Sequence, residues 1–467
     1  MQSSEKITEY LEIVRRQIRW QKAQVPVLAE LQNHLSDQRD ALLKAGLDEE
    51  TAISGALEEM GDPVVVGEQL DRVHRPRPDW PLLALTVVLL GAGLTIQFLI
   101  GGDIHIGRDM FSRQVIWAGL AIILLLAAYF LDFTILGKYP WFMYWLLIAV
   151  TAVGYWFYGR SPSLGDSRLS SIYPLLLFPT VFAGIVYSRR NQGYAGLILC
   201  GAAAVAPAFL ALMIHNSAVS FLISVSCLAV LTYAITRGWF KVRKVYALLV
   251  LYFLFTVLLT TMFVTLMGQF YIWQRLQAIF DPSLAPMGLG YIGSVIRQFL
   301  GHSRLIGEGL PLSGYGQKPA SQILPAANTD FILTYLTYKF GWLLIIGIIL
   351  VFTAFIVRSF MVCKRQKSVL GQLVSLAIIL TFALQCFTFI IYNFGFLLFA
   401  PVSLPLISYG GRSLLTNMCL IGFLLSTFRT GGLVRDRNID AAVRKSGRFI
   451  QYCDGKIVIN LRSHTLN

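Results

Sequence analysis

The chain has 467 residues, of which 56% are hydrophobic and 14% are charged. Soluble domains carry about a quarter charged residues, so this composition excludes an ordinary soluble protein and indicates one embedded in a lipid bilayer. The net charge of +14 could suggest nucleic acid, but the basic residues lie between apolar runs and form no aromatic-interleaved patch, which argues against that partner.

Residues 1–79 form a charged segment that precedes the first long apolar run. Asp48 is placed to cap a helix that Gly61 ends, and Asp62 followed by Pro63 supplies a cap and an N1 proline for the next helix. We therefore predict a small cytoplasmic helical bundle, with docking or dimerisation as its role. The stretch Arg75–Pro78 marks the boundary to the membrane domain.

Residues 80–429 are predicted to be an all-α membrane domain with about ten transmembrane helices. A helix needs about 20 apolar residues to cross the bilayer. The stretches that meet or approach this length are 81–101, 115–133, 139–158, 173–188, 194–214, 218–237, 245–267, 331–357, 369–395 and 412–428. Residues 430–467 form a tail, in which Asp454-Gly455 between two alternating segments predicts a β-hairpin.

The basic residues favour one orientation of these spans, because Lys and Arg are retained in cytoplasmic loops. They concentrate in alternate loops, and the N-terminus has no short apolar stretch of the secretory kind, so we expect both termini to be cytoplasmic and nothing to be cleaved. An anionic partner is the alternative explanation of the charge. The six cysteines are scattered, which predicts neither a disulfide framework nor a zinc site. The basic residues are Lys138, Arg189, Arg190, Arg237, Lys241, Arg243, Lys244, Arg358, Lys364, Arg365 and Lys367.

The predicted extracytoplasmic loop, residues 268–329, is far longer than a connection requires. Its aromatic and aliphatic residues, with Gly and Pro at intervals, predict an ordered loop on the membrane surface. It delivers Asp330 to the start of the eighth span. That carboxylate fits two roles: a helix cap, joined by Asn328 and Thr329, or a general base in a partly desolvated site.

Several motifs in the second half of the chain together resemble one family. They are Arg275–Phe280, Gly290-Tyr291, Gly307-Glu308-Gly309, Leu324–Ile332 and Pro401–Gly411. They resemble the SEDS proteins FtsW, RodA and SpoVE, ten-span polymerases of bacterial peptidoglycan, over about residues 80–429. Residues 1–79 look like the helical prefix domain of some Gram-positive permeases.

The resemblance implies an enzyme that polymerises lipid II at the outer face of the bacterial plasma membrane, in elongation, division or sporulation. The acceptor's GlcNAc 4-hydroxyl would attack the anomeric carbon of a MurNAc carried on undecaprenyl pyrophosphate, with a class B penicillin-binding protein as partner. Asp330 matches the family's catalytic aspartate. The pyrophosphate leaving group suggests a divalent cation, Mg or Mn, although no cluster of ligands marks a metal site in the sequence.

Further residues are candidates for binding the substrate, and each has a structural alternative. Arg275 and Arg297 suit a pyrophosphate but equally suit solvent or lipid headgroups, and Arg412 suits a phosphate or an interface anchor. Lys339 is either functional, as an ionisable residue inside a span, or a lysine that snorkels to the surface. The candidate set is Arg275, Arg297, Glu308, Asn328, Thr329, Lys339, Tyr409, Gly410, Gly411 and Arg412.

The chain departs from the family pattern around Asp330. Ala326 stands where the family has glutamate, Asn328 where it has histidine, and Tyr338 and Lys339 where it has paired glutamates. On a straight helix, Asp330 and Lys339 would lie about 13 Å apart on opposite faces, so we expect no direct pair. Two other functions remain open: a transporter of the lipid-linked precursor, and a non-catalytic scaffold that recruits partners through the N-terminal bundle.

Overall fold

A computed structural model describes residues 2–76, 78–102, 107–159, 172–214, 216–267, 277, 289–312, 319–397, 402–431, 450–453 and 456–459. The chain divides into two compact units, Met1–Pro78 and Asp79–Asn467. The candidate residue Arg275 lies outside the described residues.

The described residues of the first unit form four helices: α1 (Gln2–Gln17), α2 (Gln21–Lys44), α3 (Glu49–Met60) and α4 (Pro63–His74). Both predicted caps are confirmed, because Asp48 accepts from the Thr51 amide at 3.1 Å and Asp62 from the Val64 amide at 2.7 Å. Hydrogen bonds from the Thr51 hydroxyl and amide also lower the pKa of Asp48. Val14, Ile18 and Leu35 are among the residues of the small apolar core.

Nine described helices of the second unit are long and apolar enough to cross a bilayer. Together with the short segment 173–189, they confirm the all-α, polytopic architecture. The long helices are α5 (Trp80–Gly101), α6 (Gly107–Phe130), α8 (Pro140–Gly159), α10 (Gly193–Met213), α11 (Ser217–Thr236), α12 (Lys244–Met267), α16 (Trp342–Lys364), α17 (Val369–Asn393) and α18 (Gly411–Thr430). The short helices are α7 (Ile135–Lys138), α9 (Phe178–Arg189), α13 (Leu289–His302), α14 (Ala320–Ile323) and α15 (Ile332–Phe340).

The expected fourth span is a 3-10 turn, Tyr173–Leu177, continued by the 12-residue helix α9. Every residue from Phe178 to Tyr187 is buried, and α9 packs against α8, α10 and α17. This segment therefore lies inside the bundle, where its helical surface meets protein. Its first residue, Tyr173, reaches the site described below.

The expected single helix over 331–357 is wrong, because the chain breaks at Gly341 into α15 and α16. Gly341 has φ +96°, and a Cβ there would lie 2.6 Å from the Leu305 carbonyl oxygen, so glycine is required. The first amides of α16, from Trp342 and Leu343, donate to the Arg304 and Leu305 carbonyls, each at 3.1 Å. Hydropathy could not predict the break, since the apolar run continues through it.

Asp79 caps the start of the first long helix. Its Oδ1 accepts from the Leu82 amide at 3.0 Å, and its carboxylate pairs with Arg358 of α16 at 2.8 Å and 3.2 Å.

In the tail, β1 (Ile450–Cys453) and β2 (Lys456–Ile459) pair antiparallel with Ile450 opposite Ile459. The predicted hairpin is confirmed, and its turn at 454–455 lies outside the described residues.

Candidate active site

The segment Leu324–Phe331, here called the Asp330 turn, is a compact turn closed by its own backbone. The amides of Thr329 and Phe331 both donate to the Ala326 carbonyl, at 3.0 Å and 3.2 Å. Ala326 adopts φ +49°, an uncommon conformation for a residue other than glycine. Asp330 is half-buried at the end of this turn, immediately before α15.

Asn393, the last residue of α17, caps α15. The N-cap position belongs to Phe331, whose side chain has no acceptor, and Asn393 Oδ1 accepts from the Thr334 amide at 3.1 Å. Asn393 Nδ2 also donates to the Asp330 carbonyl at 3.0 Å. One asparagine from a distant helix therefore supplies the cap that the sequence suggested for Asp330, and it fixes the Asp330 backbone.

The segment Val402–Gly410, here called the Ser408 loop, is hydrogen-bonded to the Asp330 turn. Ser408 Oγ donates to the Thr329 carbonyl at 3.2 Å, and the Tyr409 amide donates to the Asn328 carbonyl at 3.1 Å. The structure thus brings Asn328, Thr329 and Tyr409 next to Asp330, as the motif suggested.

The glycine pair after Tyr409 lets α18 start against α6. The Gly410 amide donates to Gln114 Oε1 at 3.2 Å, and a Cβ on Gly411 would overlap the ring of Trp117. A side chain at Gly411 would therefore clash with Trp117, so glycine is required at this position. The group that approaches Gly411 is an indole of the protein.

Two residues of the first span support the site, and the sequence interpretation did not include either. Gln97 Nε2 donates to the Ile407 carbonyl at 2.9 Å and to the Asn328 carbonyl at 3.2 Å. A Cβ on Gly93 would overlap the Leu406 carbonyl oxygen. In the sequence, the signal that could have identified Gln97 is a polar amide side chain within an otherwise apolar span.

A third residue outside the motifs, Tyr173, reaches the site from the 3-10 turn. It interacts with the side chain of Ser403 and, electrostatically, with Asp330. The Ser403 and Ser413 hydroxyls are hydrogen-bonded to each other. Asn417 Nδ2 donates to the Ser413 carbonyl at 3.0 Å and to Ser413 Oγ at 3.2 Å. No sequence pattern links Tyr173 with Ser403 or Asp330, which lie far along the chain.

Lys339 and Glu308 form an ion pair with each other at 3.3 Å, with side chains 30% and 59% exposed. The expectation that Lys339 does not pair with Asp330 stays a prediction. The Gly309 amide donates to the Tyr338 carbonyl at 2.8 Å, which holds the Glu308 segment against the end of α15.

The remaining candidates lie on two helices. Arg297 is exposed on α13, which packs against α15, and Arg412 is half-buried in the first turn of α18. Over the described ranges, no three His, Cys, Asp or Glu side chains gather to hold a metal ion. These residues do not form a protein-bound metal site, so the divalent cation stays a prediction.

Comparisons with known proteins agree on one family. The model of the FtsW, RodA and SpoVE family, described as "Cell cycle protein", matches residues 82–430. The probable peptidoglycan glycosyltransferase FtsW of Halorhodospira halophila is 32% identical over 158 residues, 33% of this chain and 39% of that protein. The chain thus spans about two fifths of that relative. The protein of the same name from Idiomarina loihiensis is 28% identical over 291 residues, 60% of this chain and 67% of that one.

One solved structure supports the fold. It was determined in work on structural coordination of polymerization and crosslinking by a peptidoglycan synthase complex. It matches with a TM-score of 0.56 and 20% identity, covering 76% of this chain and 99% of that one. At this identity, the similarity establishes a shared architecture.

Proposed function

The chain belongs to the family of FtsW, RodA and SpoVE, and on this premise we propose that it is a peptidoglycan glycosyltransferase that polymerises lipid II. The observation that carries the proposal is the position of Asp330. Its backbone is held by Asn393 and by the turn at Ala326, while the helix cap is made elsewhere. A carboxylate held in this way suits a catalytic base.

In the proposed reaction, Asp330 takes the proton of the acceptor's GlcNAc 4-hydroxyl while that oxygen attacks the anomeric carbon of the donor MurNAc. A new carbon–oxygen bond forms at the anomeric carbon. The bond from that carbon to the pyrophosphate oxygen breaks, and undecaprenyl pyrophosphate leaves with the electron pair. A sugar hydroxyl is a poor nucleophile, so removing its proton during attack lowers the barrier. The positive end of α15 favours the ionised carboxylate that this role needs, whereas partial burial favours the protonated form.

The substrate carries a long prenyl chain, which explains why the enzyme is embedded in the membrane. The site lies where α5, α17 and the Ser408 loop meet at one end of the bundle. We propose that this end faces out of the cell and that both termini are cytoplasmic. Arg297 and Arg412, with Arg275, are the proposed ligands of the pyrophosphate. A bound divalent cation would help to neutralise the leaving group.

We propose a class B penicillin-binding transpeptidase as the partner. Support comes from the solved structure with the same fold, which belongs to a peptidoglycan synthase complex. The N-terminal helical unit is proposed as a docking or dimerising module. Elongation, division and sporulation remain alternative settings for the same reaction.

A non-catalytic scaffold is the alternative, and one observation favours it. Ala326, at the centre of the Asp330 turn, offers no carboxylate where the family pattern has one. This alternative predicts that the fold and the partner contacts persist while glycan chains do not form.

The test uses the purified full chain with labelled lipid II, in magnesium or manganese, with and without a class B transpeptidase. Wild type is expected to make glycan chains and Asp330→Asn to make none. If neither protein makes chains in any of these conditions, the proposal fails in favour of the scaffold or of the transporter.

A further inference from the structure

We propose that two loops at the far end of the bundle from Asp330 form a binding site for the headgroup phosphate of an anionic phospholipid, with Arg189, Arg237 and Lys241 as its cations. The loops are residues 189–193 and 237–241, here called the basic loop pair. The site does not depend on the proposed enzymatic activity. Only its assignment to the cytoplasmic leaflet rests on the proposed orientation.

One interhelical hydrogen bond places the basic loop pair at the opposite end from the candidate active site. Tyr233, in the last turn of α11, donates from its hydroxyl to Gln372 Oε1 at 3.0 Å. Gln372 lies in the first turn of α17, whereas Asn393 ends that helix and donates to the Asp330 carbonyl. At 1.5 Å per residue the helix between them spans about 32 Å, which is close to the thickness of the hydrocarbon core of a bilayer.

The two loops are joined to each other through the backbone. The Asn191 amide donates to the Trp239 carbonyl at 2.9 Å, and Phe240 is fully buried. A Cβ on Gly196 would lie 2.6 Å from the Arg189 carbonyl oxygen and 3.5 Å from the Phe240 ring, so both loops also pack on the start of α10. Each of the three cations is two residues from Asn191 or Trp239, and its Cα therefore lies within about 7 Å of one of these residues.

Aromatic rings hold two of the guanidinium groups. Arg189 Cζ lies 5.6 Å from the centroid of the Trp141 ring, and Arg237 Cζ lies 5.2 Å from that of Tyr233. Trp239 packs edge-on against Tyr233 at 5.6 Å between centroids. A guanidinium that stacks on a ring keeps N–H groups at its edge, where they match the oxygens of a phosphate.

Arg190 has a different role in the same loop. Its Nη1 donates to the Tyr187 carbonyl at 2.9 Å, and its Cζ lies 3.7 Å from the centroid of the Tyr187 ring. These contacts hold its guanidinium against α9, so we do not include it among the ligands. Arg237 and Lys241 are exposed and Arg189 is half-buried, which leaves these three accessible to a headgroup.

The charge of this region favours an anion. No Asp or Glu occurs between residues 167 and 280, so the basic loop pair and the helices that carry it contribute only cations. A zwitterionic headgroup brings its own cation next to its phosphate, whereas an anionic headgroup brings none. Clustered basic residues at the cytoplasmic ends of membrane helices attract anionic lipids in this way.

Backbone conformation also distinguishes the basic loop pair. Among the residues that the structure describes, the non-glycine residues with positive φ are Ala326 and Leu406 in the candidate active site and Asn191 and Lys241 in the basic loop pair, the last two at +69° and +54°. Such conformations are costly and persist where the surrounding structure imposes them, often at functional sites.

A purely structural role for the same cations makes a different prediction. Arg189 and Arg237 lie at the C-terminal ends of α9 and α11, where a positive charge stabilises the helix. Cations with only that role would not distinguish one phospholipid from another. Selectivity between lipids therefore separates the two interpretations.

The test measures thermal unfolding of the purified full chain in detergent with added phosphatidylglycerol, phosphatidylcholine or inorganic phosphate. We expect phosphatidylglycerol to raise the wild-type Tm by about 5 °C more than phosphatidylcholine does. In the double variant Arg189→Gln/Arg237→Gln this difference should fall to less than about half. The matched control is Arg365→Gln/Lys367→Gln, which removes two exposed cations from another loop at the same end and should keep the full difference.

Each protein is compared with itself in the two lipids, so a lower starting Tm does not obscure the result. If the double variant does not fold, Lys241→Gln, a change at an exposed side chain, is expected to reduce the difference as well. An equal loss in the control would overturn the inference, because any surface cation would then suffice. A larger rise with inorganic phosphate, or with a polyglutamate peptide, than with phosphatidylglycerol would also overturn it, in favour of a soluble anion or an acidic protein segment.

Discussion

Two aspartates precede apolar helices in the membrane unit, and the protein uses them differently. Asp79 occupies the N-cap of α5, accepts from the Leu82 amide at 3.0 Å and pairs with Arg358 at 2.8 Å. Asp330 precedes α15, but the cap there is Asn393, which lies 63 residues farther along the chain. In sequence the two acids look alike.

The difference shows how a structural carboxylate can be told from a candidate catalytic one. The Asp79 carboxylate serves its own helix, and its side chain is only 11% exposed. At Asp330, Asn393 donates to the backbone carbonyl, and the turn before α15 closes on the Ala326 carbonyl. When the cap comes from elsewhere, the acid before a helix can have another role.

The largest expected effect is on the packing behind the Ser408 loop. In Gly93→Ala the new Cβ overlaps the Leu406 carbonyl oxygen, so the loop must move away from the Asp330 turn. We expect a loss of about 3 kcal/mol in stability and loss of polymerisation. Thermal unfolding in detergent and a lipid II assay measure the two effects.

The control is Gly91→Ala on the same helix, where a Cβ meets nothing within 4 Å. Alanine is the better helix former, so this variant should match or exceed wild type in stability. Equal behaviour of the two variants would contradict the proposed support of the site by α5.

The next effect tests the cap made by Asn393. Asn393→Leu removes the acceptor for the Thr334 amide and the donor to the Asp330 carbonyl. We expect a loss of about 2 kcal/mol and a fall in polymerisation of at least about tenfold.

Asn216→Leu is the matched variant, because Asn216 caps α11 by accepting from the Val219 amide at 3.0 Å. It should cost a similar stability while the folded protein keeps its rate. A similar loss of rate in both variants would mean that the Asn393 effect is general and not local to Asp330.

A smaller effect is expected at the ion pair between Asp79 and Arg358. Arg358→Met leaves the largely buried Asp79 carboxylate without its cation, at a cost of about 2 kcal/mol, less than for a fully buried pair because Arg358 is 32% exposed. The rate per folded molecule should not change. Arg365→Met, an exposed site nearby in sequence, provides the baseline, and a rate loss specific to Arg358→Met would show that this end also serves catalysis.

The smallest effect is expected at the exposed ion pair. Lys339→Met removes a pair at 3.3 Å whose members are 30% and 59% exposed, so stability should change by less than about 1 kcal/mol and polymerisation should stay near wild type. A large loss of rate at unchanged stability would restore Lys339 as a functional residue.

The sequence was sufficient for features that depend on local signals. Apolar runs predicted the spans, Asp48 and Asp62 predicted their own caps, and Asp454-Gly455 predicted the hairpin. It failed at Gly341, because hydropathy averages over a break that is imposed by the Leu305 carbonyl of another segment.

The candidate site was predictable only in part. The family motifs include Asn328, Thr329 and Tyr409 along with Asp330, but they include neither Gln97 nor Asn393. The Gln97–Asn328 contact joins residues 231 positions apart, and no periodicity or spacing encodes such a pair.

The central claim is that Asp330 serves chemistry while Asp79 serves structure. The most direct measurement compares Asp330→Asn with Asp79→Asn in the same two assays, thermal unfolding and polymerisation of labelled lipid II. Asp330→Asn is expected to unfold near the wild-type temperature and make no glycan, whereas Asp79→Asn unfolds earlier and polymerises at the wild-type rate per folded molecule. Glycan synthesis by a folded Asp330→Asn protein would contradict the claim.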